Sequence, residues 1–233
     1  MIAQNLQTVK DKIAEKCATV NRDISEIKLI AVSKNFGVRD INTAFDAGAR
    51  DFGENKAQEL DGKYQELGNK ITWHFIGNLQ KNKVKYVIRS AGFIHSVTSL
   101  SLAEEINKRA VQLNKEQKIL IQVKTSEEET KSGVTDENEI IDLVFACKQF
   151  SNISPVGLMT IAPFTDDENL IRKSFSYLRK LKDKLKNQGL ELKELSMGMT
   201  SDFEIAIEEG ATMLRIGSAI FGVRDYNKNW KEI

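Results

Sequence analysis

The 233-residue chain has two cysteines and two prolines. Cys17 and Cys147 are too few for a disulfide scaffold, and neither sits in a C-x-x-C pair or beside paired histidines, which speaks against a structural zinc site. Lysine and arginine number 34 against 33 aspartates and glutamates, a net charge of +1, so no charge excess marks a polyanion-binding protein. No apolar run approaches the roughly eighteen residues of a membrane span. Residues Met1 to Lys12 mix Gln, Asn, Lys and Asp among apolar positions, unlike a secretory leader. Asn35-Phe36-Gly37-Val38 after the first apolar run is no G-x-G-x-x-G turn, which weighs against an open dinucleotide-binding sheet. No Pro/Ser/Gly-rich linker interrupts the chain.

Hydrophobic residues at 41% and charged ones at 29% describe a soluble globular protein, and the two cysteines with no secretory leader or membrane-length run lead to the expectation of a reducing, cytoplasmic compartment with no nucleic-acid or membrane partner. Leu6, Val9, Ile13, Cys17 and Val20 step by three or four, the spacing of an amphipathic helix. The run Ile27 to Lys34 then reads as a buried strand with a polar end. From there the pattern repeats. Strands are predicted to begin near Lys28, Asp51, Thr72, Phe93, Lys118, Ile153, Glu194 and Met213. Helices are predicted over Val38–Ala47, Asn55–Leu67, Lys81–Ser90, Ser99–Leu113, Asp136–Phe150, Asn169–Asn187 and Ser201–Glu209, with a short one after Gly217. Eight alternating units predict an α/β protein, a single (β/α)8 TIM barrel with an extra N-terminal helix, occupying residues 1–233 as one domain.

In such a barrel, chemistry belongs at the carboxyl ends of the strands. The loops after strands seven and eight often bind phosphate with backbone N–H groups at a helix start. Here Thr200 offers a hydroxyl from one loop, and Gly217 with Ser218 opens the helix after the other; simple helix capping by Thr200 and Ser218 is the alternative. Lys34 ends an apolar strand, where a desolvated amine suits Schiff-base chemistry with an aldehyde, unless its ammonium merely snorkels to water. Arg215 ends strand eight. It either pairs with a carboxylate such as Glu54 or Asp202 or directs its N–H groups at a ligand. A ligand with an aldehyde, a phosphate and an aromatic nitrogen would be pyridoxal phosphate. His74 and His95 lack metal-ligand spacing and read as packed, hydrogen-bonded residues, so no metal is expected. The Lys81–Lys85 run reads as a solvated helix face, and Glu127 to Gly133 as a loop of unassigned role.

These residues fall in stretches that resemble a known family. They are Ala31-Val32-Ser33-Lys34, Phe52-Gly53-Glu54-Asn55, Trp73-His74-Phe75-Ile76-Gly77, Leu79-Gln80 with Asn82-Lys83, Lys131-Ser132-Gly133, Gly157 to Ile161, Ser196 to Met199, and Arg215-Ile216-Gly217 with Phe221-Gly222. Together they resemble the YggS/PROSC pyridoxal-phosphate homeostasis proteins, similar in fold to the N-terminal barrel of alanine racemase. The resemblance implies pyridoxal 5'-phosphate held as a Schiff base on Lys34. It also implies phosphate contacts from Thr200, Gly217 and Ser218, Arg215 facing the pyridine nitrogen, and Asn55 lining the pocket. Three positions depart from the commoner pattern: Thr200 stands in place of Ser, Asn35 in place of Thr, and Asn78 in place of Pro or His. Threonine keeps the hydroxyl.

An arginine at the pyridine nitrogen disfavours ring protonation and weakens the ring as an electron sink. Racemisation also needs a group on each face of the substrate, and in the racemases the second is a tyrosine from a separate β domain across a dimer. The chain ends at Ile233 soon after the eighth unit, and Tyr226 has no evident scaffold. The expectation is therefore a monomeric cofactor carrier without catalytic residues or turnover of its own, with pyridoxal-phosphate-dependent apo-enzymes as recipients. Two other readings stay open: a monomeric amino-acid racemase-like enzyme, and a class I aldolase-type barrel using Lys34.

Overall fold

A computed structural model of the chain describes residues 1–126, 128, 132–223 and 230. Eight parallel strands close into a barrel in sequence order: β1 (Lys28–Val32), β2 (Asp51–Glu54), β3 (Thr72–Phe75), β4 (Ala91–Val97), β5 (Gln117–Gln122), β6 (Ile153–Met159), β7 (Glu194–Ser196) and β8 (Met213–Ile216). Closure is made by β1 and β8, with Ala31 opposite Ile216.

The helices are α1 (Ile2–Thr19), α2 (Val38–Asp46), α3 (Ala57–Leu67), α4 (Val84–Val87), α5 (Leu100–Gln112), α6 (Glu137–Lys148), α7 (Glu168–Asn187), α8 (Phe203–Glu208) and α9 (Ser218–Phe221). Side-chain caps mark several starts: Ser99 accepts from Leu102 N–H, Asp136 from Glu139 N–H, and Asp167 from Asn169 N–H. α1 buries Leu6, Val9, Ile13 and Cys17 and lies against α2, α8 and α9. The barrel with its extra N-terminal helix is the expected one.

Two expectations need correction. The predicted helix over Lys81–Ser90 is a 3-10 turn at Lys81–Lys83 followed by a single α-turn, α4. β1 stops at Val32, so Lys34 stands two residues past the strand. The reason is local: Asn35 takes φ +66°, left-handed backbone that no strand continues through and that Asn tolerates better than most side chains.

Side chains on the strands alternate between two environments. One set packs outward beneath the helices in the large core. The other points inward, where Ile30, Phe93, Leu120, Met159 and Met213 form a separate cluster inside the barrel. His74, His95, Ser196 and Arg215 are buried too. The interior of this barrel is therefore partly polar, and its polar side chains lead toward the carboxyl-terminal mouth.

Candidate functional site

At that mouth lies a cavity of about 590 Å3 lined by Lys34, Asn55, Thr200, Arg215, Gly217 and Ser218. All six candidate residues thus meet in one place, delivered by five different segments. Lys34 comes from the loop after β1, Asn55 from the end of β2, Thr200 from the loop after β7, Arg215 from β8, and Gly217 with Ser218 from the start of α9.

Lys34 is half-buried. Its neighbours in sequence are pinned by a charged cluster that the sequence did not reveal. The fully buried Lys63 of α3 donates to the Ser33 carbonyl (2.9 Å), to Glu54 (2.7 Å) and to Glu59 (2.8 Å). Ser33 Oγ donates to Glu54 at 2.6 Å, and Asn35 N–H donates to Glu59 at 2.7 Å. The residues on both sides of Lys34 are therefore tied to one ammonium and two carboxylates. Two carboxylates against one cation leave a surplus negative charge in a dry site. Burial pushes Glu54 up to about 7, with the charge of Lys63 opposing and that of Glu59 adding. A signal for this cluster existed: Lys63 falls on the buried stripe of α3 with Ala57, Glu59 and Leu60, and Glu59 precedes it by one helical turn.

The opposite wall is built by backbone. Gly198 takes φ +95°, and a Cβ there would lie 2.6 Å from the Ala206 side chain, so only glycine makes the turn from β7 that brings Thr200 to α9. Ser218 Oγ donates to Thr200 Oγ1 at 3.2 Å, and Ala219 N–H points at the same oxygen at 3.4 Å. Helix capping and anion binding use the same groups here, because first-turn N–H groups lack intrahelical partners. Phe36 stacks on Phe221 with ring centroids 5.0 Å apart, fastening the Lys34 loop to α9.

Arg215 forms the floor. It is buried, with Nη1 donating to Ser196 Oγ at 2.6 Å and Nη2 to the Thr160 carbonyl at 2.8 Å. Burial lowers it to about 10, while the charge of Asp202 favours its ionised form. The alternative pairing with Glu54 does not occur, since Glu54 is engaged by Lys63. Asn55 presents a buried Oδ1 without a hydrogen-bond partner among the described residues. Tyr226, Glu127 and Glu129 to Lys131 lie outside the described residues. Lys81, Asn82 and Lys85 are exposed, as a solvated face should be.

The family described as "Alanine racemase, N-terminal domain" matches residues 8–225. A protein of Aquifex aeolicus named "Pyridoxal phosphate homeostasis protein" is 41% identical, over 96% of this chain and 98% of the relative. One of the same name from Pasteurella multocida is 38% identical over 97% of this chain and 99% of the relative. Among solved structures, PipY of Synechococcus elongatus with PLP bound superposes with a TM-score of 0.82 at 34% identity, covering 95% of this chain and all of that one. Alanine racemase of Clostridium difficile shares the fold (TM-score 0.76, 16% identity), and 59% of it is covered.

Proposed function

This chain belongs to the pyridoxal phosphate homeostasis family within the alanine racemase N-terminal-domain group, and from that premise we propose that it holds pyridoxal 5'-phosphate covalently on Lys34 and serves intracellular vitamin B6 homeostasis. The observation that carries this reading is the single cavity joining a primary amine, a hydroxyl-lined helix start and a guanidinium. The buried, unpartnered Asn55 Oδ1 in its wall adds a polar contact that a small polar ligand would satisfy. When bound, pyridoxal phosphate would supply a phosphate dianion as an anchor and an aldehyde able to condense with an amine with loss of one water.

The chain's own residues divide the work. Lys34 provides the amine, and the Lys63 cluster holds its loop in place. Thr200, Ser218 and the backbone at Gly217 take the phosphate. Arg215 would face the ring nitrogen and disfavour a proton there. Asn55 lines the pocket beside the amine.

We read the role as holding rather than turnover. Lys34 and Arg215 are the titratable side chains among the described residues lining the cavity, and a cation at the ring nitrogen suits storage better than carbanion chemistry. Relatives named for homeostasis, covered almost end to end, support the same reading. We further read the protein as a cytosolic monomer that passes its cofactor to apo-enzymes, a compartment consistent with two buried, unbridged cysteines.

Reconstitution followed by borohydride reduction and peptide mapping tests the proposal. The expected label is on Lys34, with the visible absorption band lost in Lys34→Ala. Label on another lysine, or none, overturns it. Measurable turnover across D- and L-amino acids would convert the reading into a racemase.

A further inference from the structure

A continuous hydrogen-bonded chain crosses the inside of the barrel from one mouth to the other. It begins at Asp51, the first residue of β2, which lines a separate cavity at the amino-terminal end with Lys28 and Glu194. Asp51 Oδ1 lies 2.8 Å from His74 Nε2, and His74 Nδ1 lies 2.9 Å from His95 Nε2. His95 Nδ1 lies 2.9 Å from Ser196 Oγ, which accepts from Arg215 Nη1 at 2.6 Å. His74, His95, Ser196 and Arg215 are all buried. His74 is held face to face on Phe93 at 4.7 Å, with an interplanar angle of 3°.

The chemistry of these groups permits one order of donors when both imidazoles are neutral. A carboxylate only accepts, so His74 carries its proton on Nε2, and its Nδ1 must accept from His95 Nε2–H. His95 Nδ1 then accepts from the Ser196 hydroxyl, whose oxygen accepts from Arg215. Every donor points from Arg215 toward Asp51, and each of the four imidazole nitrogens has a partner. Burial lowers both imidazoles, most strongly His95. Lys28 opposes protonation of both, His74 and Arg215 oppose it at His95, and Asp51 and Glu194 favour it at His74. Hydrogen bonds aligned head to tail polarise one another, so the charge at one end is felt at the other.

We propose that His74, His95 and Ser196 are positioning residues that relay the negative charge of Asp51 through the barrel to Arg215, fixing the guanidinium at the floor of the cofactor cavity. This rests on the pyridoxal phosphate reading for its consequence but not for its geometry. Asp202 acts on Arg215 from the mouth side, so the relay is a second, internal source of compensation for that buried cation.

The histidines are two in number, which makes the test direct. Nitrogen-15 spectra of imidazole-labelled, cofactor-free protein at pH 8 should show both rings neutral with the proton on Nε2. A charged ring or an Nδ1–H tautomer at either site overturns the proposal, whatever the cofactor does. In the reconstituted protein, Asp51→Asn keeps an acceptor for His74 but removes the charge. The site becomes more positive, so the pH midpoint of the cofactor's visible band should move down. Ser196→Ala cuts the chain next to Arg215, and in that background Asp51→Asn should move the midpoint no further. An equal shift in both backgrounds means the charge acts through space and sinks the relay. Failure of the wild type to develop a visible band or a borohydride label sinks the cofactor reading instead, and leaves the imidazole spectra to decide the relay.

Discussion

At Thr200 one hydroxyl meets both Ser218 Oγ and the Ala219 amide, and the phosphate reading assigns that hydroxyl to an anion. A hydrogen bond to a charged group contributes about 1.5–3 kcal/mol. Thr200→Val keeps the shape and removes the hydroxyl, so pyridoxal phosphate affinity should fall about 10- to 100-fold, with Thr200→Ser close to wild type. Spectrophotometric titration checks this, and equal affinity for the valine variant would return Thr200 to a capping role. Lys34, Thr200, Arg215 and Ser218 were legible because each is a polar residue where an apolar strand or a helix start should place function. Lys63 was not. Its place on the stripe of α3 one turn after Glu59 was the only hint, because the second carboxylate that makes its burial tolerable is Glu54, and only folding brings Glu54 to it.

The loops following β1 and β3 are set by contacts between elements. A Cβ at Gly77 would lie 2.0 Å from the Asn55 carbonyl oxygen, so the chain leaving β3 can pass the Asn55 backbone only as glycine. Gly77→Ala should destabilise the fold by about 1–3 kcal/mol and weaken cofactor binding, since it displaces Asn55. Denaturant melts alongside binding titration would show both changes, and unaltered binding would detach Asn55 from the site. The cluster joining β2 and α3 has a pH signature. Glu54 is raised by burial to about 7 from 4.5, so between those values the folded protein keeps a proton that the unfolded chain has released. Its contribution to stability is complete below about pH 4.5 and is lost as pH rises through about 7. Glu54→Gln stays neutral throughout, so relative to wild type it should be more stable at pH 8 than at pH 5. Urea unfolding at the two pH values measures that double difference, and a constant difference would show Glu54 ionised throughout. Helix and strand starts were mostly readable, as with the predicted starts at Ser99 and Asp136, the residues that cap α5 and α6. The stretch Lys81–Ser90 reads as one helix, whereas the chain splits it into a 3-10 turn at Lys81–Lys83 and a single α-turn at Val84–Val87 before β4 begins at Ala91.

Across the whole molecule, a ligand that binds only the folded barrel must stabilise it. At a hundredfold excess over the dissociation constant the gain is about 2.7 kcal/mol, or about 5–10 °C in melting temperature for a chain of this size. Thermal scans with and without pyridoxal phosphate should show that rise, smaller in Lys34→Ala; an unchanged midpoint would count against a folded-state site. Eight alternating apolar runs and helical stripes were enough to specify a closed parallel barrel, because hydrophobic period and turn chemistry are local properties that each segment carries alone. They also placed Lys34, Asn55, Thr200, Arg215, Gly217 and Ser218 at strand ends, which in this fold share one mouth. Tertiary structure alone decided what Asp51, His74, His95 and Ser196 do. They come from four strands, and their sequence separations hold no period; only closure of the sheet brings their side chains within hydrogen-bonding distance along the barrel interior. The same holds for the surplus charge around Lys63, since a pKa depends on burial and neighbours that exist only after folding.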